Sequence, residues 1–281
     1  MLRKGLTLAA LGLALLGGAA QAAGHAKEPV EVAWSFDGPF GRFDKAELQR
    51  GYKVYREVCS ACHSMNLMYF RNLGQKGGPF YDPKYPNPND NPYVKALAKD
   101  IQVKDIDSET GDPIQRPATP ADHFPAPFPN EPAARASNGG ALPPDLSVIA
   151  KAREGGPSYI HSLLAGYVNP PAGLTVPTGQ HYNPYMAGDL ASYWSGKGGH
   201  APPGGFLAMP PPLTPDKVTF DDGTKSTVDQ QAKDVAAFLM WAAEPKMEER
   251  KSFGLGAMIY LLLFTGLLYA SYRRIWRNVA H

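Results

Sequence analysis

The sequence predicts a mainly α protein: a few helices joined by long irregular loops, closed by one C-terminal helix that crosses a membrane. Three observations lead there. Stretches with apolar residues at helical spacing are few. Proline and glycine are abundant, at 28 and 29 of 281 residues, and Phe253 to Tyr272 run for 20 residues without a charge. Long loops between few regular elements fit that composition. With 43% hydrophobic residues against 19% charged, the chain has room for one large domain or two small ones.

The chain opens MLRKGLTLAALGLALLGGAAQAAGHAKEP. Arg3 and Lys4 are a positive start, Leu6 to Leu16 an apolar run too short to span a bilayer, and Ala20-Gln21-Ala22 a small-residue cleavage site. Residues 1–23 therefore read as a cleaved signal peptide and 24–251 as an exported, periplasmic domain. A mitochondrial presequence would be richer in arginine and serine, so the leader reads as bacterial.

FDKAELQRGYKVYREV reads as the first helix, with Asp44 as N-cap and Glu47 completing a capping box. Leu48, Gly51, Tyr52, Tyr55 and Val58 share one face. From about Gly74 to Pro144 periodicity is weak, and nine prolines fall between Pro113 and Pro144. Tyr81, Tyr85, Tyr93, Phe124 and Phe128 favour backbone wrapped around something over a disordered linker. A short helix, NPYVKALAKDI, interrupts this region. PDLSVIAKAREGGPSYIHSLLAGYV predicts two helices split at Gly155-Gly156, capped by Asp145 and Ser158. VTFDDGTKST predicts a hairpin turning at Asp222-Gly223. In TVDQQAKDVAAFLMWAAEPK, Thr227 and Gln230 form a second capping box. Val228, Ala232, Val235, Leu239 and Ala242 make the apolar face of an amphipathic helix. No internal repeat is seen.

The membrane span is set at 252–272, about 30 Å of helix and one hydrocarbon thickness. Tyr260, Tyr269 and Tyr272 suit interfacial positions, and Arg273, Arg274 and Arg277 follow at once. These arginines place the tail, 273–281, in the cytoplasm, giving a single-pass protein of a bacterial inner membrane. The net charge is +2; without Arg3 and Lys4 it is 0, and without the three tail arginines about −3 for the exported domain. DIQVKDIDSETGD, 100–112, carries five acids against one lysine. A mildly acidic face suits a basic soluble partner, although a solvated acidic loop has the same composition.

The chain's two cysteines, Cys59 and Cys62, lie three positions apart with His63 immediately after. A structural zinc site needs four ligands, and no second cysteine pair or His-x-x-x-His completes one. A thioredoxin-like pair sits between a strand and a helix, whereas this pair ends a helix. A disulfide across two residues is awkward and gives the histidine no part. The pattern that accounts for all three residues is covalent haem attachment. Two thiols add to the vinyl groups of one porphyrin, and His63 ligates the iron as a neutral imidazole. The cofactor expected is one haem c.

An open sixth iron position would mean gas binding or catalysis; a methionine there points to electron transfer at raised potential. Met65 and Met68 are too close to His63 to reach the opposite face, Met240 and Met247 belong to a helix and its end, and Met258 lies in the span. Met186 in NPYMAGD and Met209 in FLAMPPPL remain. Pro210, Pro211 and Pro212 stiffen the second, which favours Met209; a methionine that only fills a core gap is the alternative. A carbonyl of Pro143 or Pro144 is a candidate acceptor for the other His63 nitrogen. Arg153 and Tyr159 are available as donors to the haem propionates.

RGYKVYREVCSACHSM, NGGALPPDLSVIAKAREGG, SLLAGYVNPP, HYNPYMAG, LAMPPPL and FDDGTKSTVDQQAKDVAAFLMWAAEP, followed by an anchor, resemble the cytochrome c1 family, the haem subunit of the cytochrome bc1 complex. The segments run in the family's order over nearly the whole mature chain. The resemblance implies a class I cytochrome c-like haem domain with long irregular insertions, its first and last helices crossing near Gly51–Tyr55 and Ala236–Leu239. It carries over Cys59 and Cys62 as thioether sites, His63 and Met209 as axial ligands, and Arg153 and Tyr159 as residues that approach the propionates. It implies an electron-transfer subunit, not an enzyme by itself, that accepts from a Rieske iron–sulfur protein and passes electrons to a soluble c-type cytochrome. The quinol-oxidising complex would include cytochrome b, be dimeric, lie in lipid, and serve a respiratory or photosynthetic chain; no nucleic acid is expected. One stretch departs from the pattern: 189–205 is longer than in many relatives. Some bacterial members place a disulfide near it, and this chain has no cysteine to do so, so the loop before Met209 must be held differently.

Overall fold

The computed structural model describes residues 26–197 and 199–278; the expected leader, 1–23, and the last three residues of the tail lie outside the described residues. The helices are α1 (Lys45–Glu57), α2 (Pro92–Lys99), α3 (Glu131–Ser137), α4 (Gly156–Ala165), α5 (Val228–Ala243) and α6 (Met247–Trp276). Two antiparallel hairpins, β1 (Gln102–Ile106) with β2 (Pro113–Pro117) and β3 (His181–Asn183) with β4 (Gly205–Leu207), are the described sheet structure.

The core forms where α1 crosses α5. Gly51 permits the crossing: a Cβ there would stand 2.0 Å from the Asp234 carbonyl oxygen and 2.7 Å from Phe238 Cβ. Tyr52 and Tyr55 then pack on Phe238, with ring centroids 5.7 and 5.8 Å away. Phe238, Trp241, Val235, Leu48 and Val54 are buried in one cluster. A side chain the size of Phe238 contributes roughly 1.5–3 kcal/mol when fully buried. Beside the crossing, Arg50 grips the buried Asp234 with two bonds, Nε–Oδ2 at 2.8 Å and Nη2–Oδ1 at 2.9 Å, and reaches Asp222 at 2.7 Å. Those carboxylates hold the guanidinium above its ordinary value, so the buried carboxylate keeps a permanent countercharge.

Both expected capping boxes form by half. Asp44 Oδ1 accepts from Glu47 N at 2.9 Å, but the Glu47 carboxylate takes the Ser35 hydroxyl, and Ser35 Oγ accepts from Asp44 N. Thr227 Oγ1 accepts from Gln230 N at 3.1 Å, while the Gln230 amide turns to Asp234. For Glu47 a partner outside the helix outcompetes the local one; for Gln230 the competitor is Asp234, one turn on in the same helix. α5 is also less amphipathic than expected: Gln231, Asp234, Ala236, Ala237, Phe238 and Trp241 are buried besides the expected apolar face, because α1 and α4 cover two sides.

Several expectations need correcting. PDLSVIAKAREGG is a run of turns, not a helix. α4 starts with Gly155 as N-cap at φ +76°, and Ser158 Oγ instead accepts from Trp34 Nε1 at 2.9 Å. VTFDDGTKST turns at Asp222-Gly223 without forming strands. Val218 and Phe220 bury one face, but Asp222 accepts from Thr224 N, and the return leads straight into the α5 cap. Hairpin β1–β2 falls inside the supposedly irregular region. Its prolines stand on edge strands, where a missing N–H costs no ladder bond. Of the aromatics there, Phe124 is buried, Tyr81, Tyr85 and Phe128 are half-buried, and Tyr93 is exposed.

The loop 189–205 belongs to a satellite cluster in which Leu174, Tyr182 and Leu190 pack with Val176, Trp194, Ala201 and Phe206. α6 is a 30-residue helix, long and apolar enough to cross a membrane, and its apolar stretch is not buried against the rest of the chain. It extends beyond 252–272 at both ends, beginning in the charged turn Met247–Lys251.

Candidate functional site

α1 ends at Glu57, and its C-cap Val58 still bonds Val54 O through its N–H at 3.0 Å. The chain then tightens into a 3₁₀ turn, Cys59–Ala61, closed by Cys62 N–Cys59 O at 3.1 Å and His63 N–Cys59 O at 2.9 Å. Cys59 opens this turn and Cys62 caps it, one 3₁₀ turn apart. Both are free thiols and half-buried. Burial, with Cys62 adding to it, pushes the Cys59 thiol up to about 12, so it stays protonated. Among the described residues no group of three or more His, Cys, Asp or Glu is placed to hold a metal ion, as a zinc site would require.

His63 Nδ1 lies 2.8 Å from the carbonyl oxygen of Pro144. A carbonyl only accepts, so Nδ1 carries the proton and Nε2 keeps its lone pair. Burial lowers the His63 pKa, with the Pro144 carbonyl and Asp145 opposing, which keeps the ring neutral at neutral pH. The segment that supplies this carbonyl is stitched to the residues after the histidine. Asp145 accepts from Ser64 Oγ and Asn66 N, both at 2.8 Å. Leu146 N donates to Ser64 O at 2.8 Å, and Leu67 N donates to Ser147 Oγ at 3.1 Å. Burial opposes ionisation of Asp145, but donors from Ser147, Asn66 and Ser64 more than offset it and hold the carboxyl below its usual range. Asp145, expected only as a helix cap, is thus the main fastener of the histidine loop. The Pro-Pro-Asp-x-Ser pattern was the available signal, since an Asp that bonds the N–H two residues on rigidifies a turn.

The two candidate methionines hang from opposite ends of one hairpin. β3 and β4 pair His181 with Leu207 and Asn183 with Gly205. Met186 follows the end of β3 and Met209 the end of β4, so antiparallel pairing sends them out at different ends. The Met186 sulfur takes the Tyr159 hydroxyl at 3.7 Å. Met209 is half-buried; its carbonyl accepts from Tyr167 Oη at 3.0 Å, and no described residue donates to its sulfur. The loop before it has no disulfide. Leu174 bridges to Trp194, Thr175 N donates to Tyr193 O at 2.9 Å, and Tyr182 Oη donates to Pro203 O at 2.6 Å. Met65 and Met68 are buried in the main core.

Arg153 is exposed, and its one described hydrogen bond goes to the neighbouring Ala152 carbonyl. It stands close enough to Tyr159 to oppose the burial that raises that phenol. Tyr159 spends its hydroxyl on a thioether, a weak acceptor, and so can be re-aimed at a stronger one. The sequence reading missed Tyr167: it fell inside the second predicted helix, but α4 stops at Ala165 with Gly166 as its C-cap, which leaves Tyr167 past the helix end. An open cleft of about 720 Å³ lies beside Tyr167, His181, Tyr182 and Pro211; Cys59, His63 and Met209 do not line it.

Residues 34–279 match the family described as the Cytochrome C1 family. Over 285 residues the chain is 43% identical to cytochrome c1 of Rhodospirillum rubrum, covering 100% of this chain and 99% of that one. It is 42% identical over 294 residues to a protein named cytochrome b/c1 from Bradyrhizobium diazoefficiens, covering 97% of this chain but only 39% of the longer relative. It is 45% identical over 241 residues to the mitochondrial "Cytochrome c1, heme protein" of Saccharomyces cerevisiae, covering 85% of this chain and 69% of that one. A mainly α chain with a few short strands and one long apolar C-terminal helix accords with these matches. The chain belongs to the cytochrome c1 family.

Proposed function

We propose that this cytochrome c1 family member carries one covalent haem c and relays single electrons in a membrane-bound cytochrome bc1 complex. It would take each electron from a Rieske iron–sulfur protein and give it to a soluble c-type cytochrome. The observation that carries this reading is the donor set on one short stretch: two free thiols three positions apart, then an imidazole tied through Nδ1 to Pro144 with Nε2 left open. These residues fit the group. Cys59 and Cys62 would hold it by thioethers, His63 and Met209 would be the axial ligands, and Arg153 and Tyr159 would face its carboxylates. When bound, the group supplies a ferric/ferrous couple that moves one electron without making or breaking a substrate bond.

The chain's own residues then set the conditions. Pro144 accepts the Nδ1 proton, which orients the ring and keeps its other nitrogen basic. A thioether ligand from Met209 would favour the reduced state and so raise the potential. With His63 and Met209 both ligating, no position would be left for a substrate, and the chain would act as a carrier and not as an enzyme by itself. Residues 1–23 would be removed on export, 24–251 would face the periplasm, 252–272 would cross the inner membrane, and 273–281 would stay cytoplasmic, with Arg273, Arg274 and Arg277 as the supporting charges. Cytochrome b and the Rieske protein would be its partners in a dimeric complex.

The test is spectroscopic. Purified protein should show the weak near-infrared methionine–iron band when oxidised, and when reduced it should not bind carbon monoxide. Rapid carbon monoxide binding at neutral pH would sink the closed-site reading. Gentle solubilisation should bring down a cytochrome b and a Rieske protein; an oxidase or dehydrogenase catalytic chain in their place would refute the assignment to a bc1 complex.

A further inference from the structure

We infer that the loop Asp37–Arg42 is a second membrane contact, which sets Phe40 among lipid headgroups beside the point where α6 enters the bilayer. Phe40 is 76% exposed, next to Pro39 at the tip of the loop. A single exposed apolar side chain is ordinary on a protein surface; what singles Phe40 out is its place beside the start of the span.

The loop is rigid. Asp37 N bonds Trp34 O at 3.1 Å, and Trp34 N donates to Asp37 Oδ2 at 3.1 Å. Gly38 turns at φ +69°, and Pro39 fixes the next residue. A Cβ on Gly41 would lie 2.0 Å from the Asp37 carbonyl oxygen, so the loop closes on itself there. Its stems are braced by packed rings, Trp34 stacked on Phe36 at 5.3 Å and Phe36 tilted against Phe43 at 4.9 Å.

The loop is also tied to α6 just ahead of the span. Phe43 N donates to Glu248 Oε1 at 3.1 Å. Lys251 Nζ donates to Phe36 O at 2.6 Å and to Gly41 O at 3.3 Å. Lys251 precedes Phe253, the first residue of the apolar stretch and 81% exposed, by two residues, about 3 Å along the helix axis. A lysine at such a position ordinarily extends its ammonium to the headgroups. Here it is used to hold two loop carbonyls, one of them adjacent to Phe40. Arg42, exposed on the same loop and without an ion-pair partner among the described residues, supplies a cation for lipid phosphate. Lipid is the occupant because the fastening runs to the membrane helix itself: a bilayer that surrounds Phe253 also reaches the loop held at Lys251. An aromatic ring at headgroup depth beside a cation is the composition of an interfacial anchor.

This rests on α6 lying in a bilayer, and the experiment separates the two ideas. The full haem-loaded chain, reconstituted in phosphatidylcholine–phosphatidylglycerol vesicles, is spin-labelled at one introduced thiol at a time: Phe40→Cys, Ile106→Cys on the β1–β2 hairpin, and Leu262→Cys within α6. The parent with only Cys59 and Cys62 gives the background. Relaxation by oxygen, which concentrates in lipid, is compared with relaxation by an aqueous nickel complex. The position 40 label should show an oxygen-to-nickel ratio severalfold above that at 106 and below that at 262. A position 40 ratio equal to that at 106, with 262 deep, overturns the loop's lipid contact and leaves the span intact. Low access to both reagents at position 40 means protein covers the loop, which also overturns the proposal. An aqueous signal at 262 removes the membrane reading itself.

Discussion

The histidine side and the methionine side of the candidate site are held by different kinds of force. Around His63, hydrogen bonds from four consecutive residues, 144–147, bind the loop to residues 63–67. Around Met209, among the described residues, one hydrogen bond, from Tyr167, reaches the backbone carbonyl; three prolines follow it, and the three-residue strand before it packs through Phe206 into the satellite apolar cluster. The difference follows from the donors. An imidazole is planar and has a second nitrogen, so its orientation needs a directional partner. A thioether is a soft, single-point donor that tolerates tilt, and it needs proximity more than direction. Non-directional packing suffices for the second and not for the first.

The largest expected effect comes from removing the softly held donor altogether. Met209→Leu should abolish the near-infrared band, open the reduced iron to carbon monoxide and lower the midpoint potential sharply. Met186→Leu, at the other end of the hairpin, should change none of these. If Met186→Leu produces the loss and Met209→Leu does not, the ligand assignment moves and the comparison breaks. Next in size is the directional side. Asp145→Ala strands the donors of Ser64, Asn66 and Ser147 at once, and should cost about 3 kcal/mol of stability at roughly 1 kcal/mol per bond. The denaturant midpoint measures the loss, and a change in the oxidised protein's low-temperature g-values would report the imidazole turning. A loss under about 1 kcal/mol would mean that the loop is held some other way.

These contrasts also show what was readable in the chain. The end of α1, the Cys-x-x-Cys-His turn, the Pro144 carbonyl, the Gly51 crossing and the Asp44 and Thr227 caps rest on local patterns or motif matches, and they stand as geometry. What was not readable depends on distant partners. Ser35 diverts Glu47 from its capping box across 12 residues, and Asp145 finds Ser64 across 81. The two hairpins were hidden because short edge strands tolerate proline and alternate weakly. Tyr167 was hidden because the predicted helix ran through it, whereas α4 stops at Ala165, and past a helix end periodicity no longer says which way a side chain points.

Two smaller effects sharpen the comparison. Tyr167→Phe removes one hydrogen bond to the Met209 carbonyl, about 1 kcal/mol. The methionine should then be displaced at alkaline pH roughly 0.7 units earlier, since 1.36 kcal/mol corresponds to one unit. No movement would mean that the prolines alone position the ligand. The smallest effect concerns pH and lies on the histidine side. Because Asp145 titrates below its ordinary value in the folded chain, its contribution is complete above the unfolded carboxyl's pKa of about 3.9 and fades as pH falls toward the lower folded value. Asp145→Asn, which cannot ionise, should lack that increment. Its stability should fall less steeply below pH 4 than the parent's, with the two slopes parallel at neutral pH. Identical acid limbs would show that the Asp145 charge adds nothing to the fastening, leaving the neutral hydrogen bonds to hold the histidine loop. Tyr167→Phe leaves Asp145 untouched and should keep the parent's acid limb, so the two variants separate the directional fastening from the packed one.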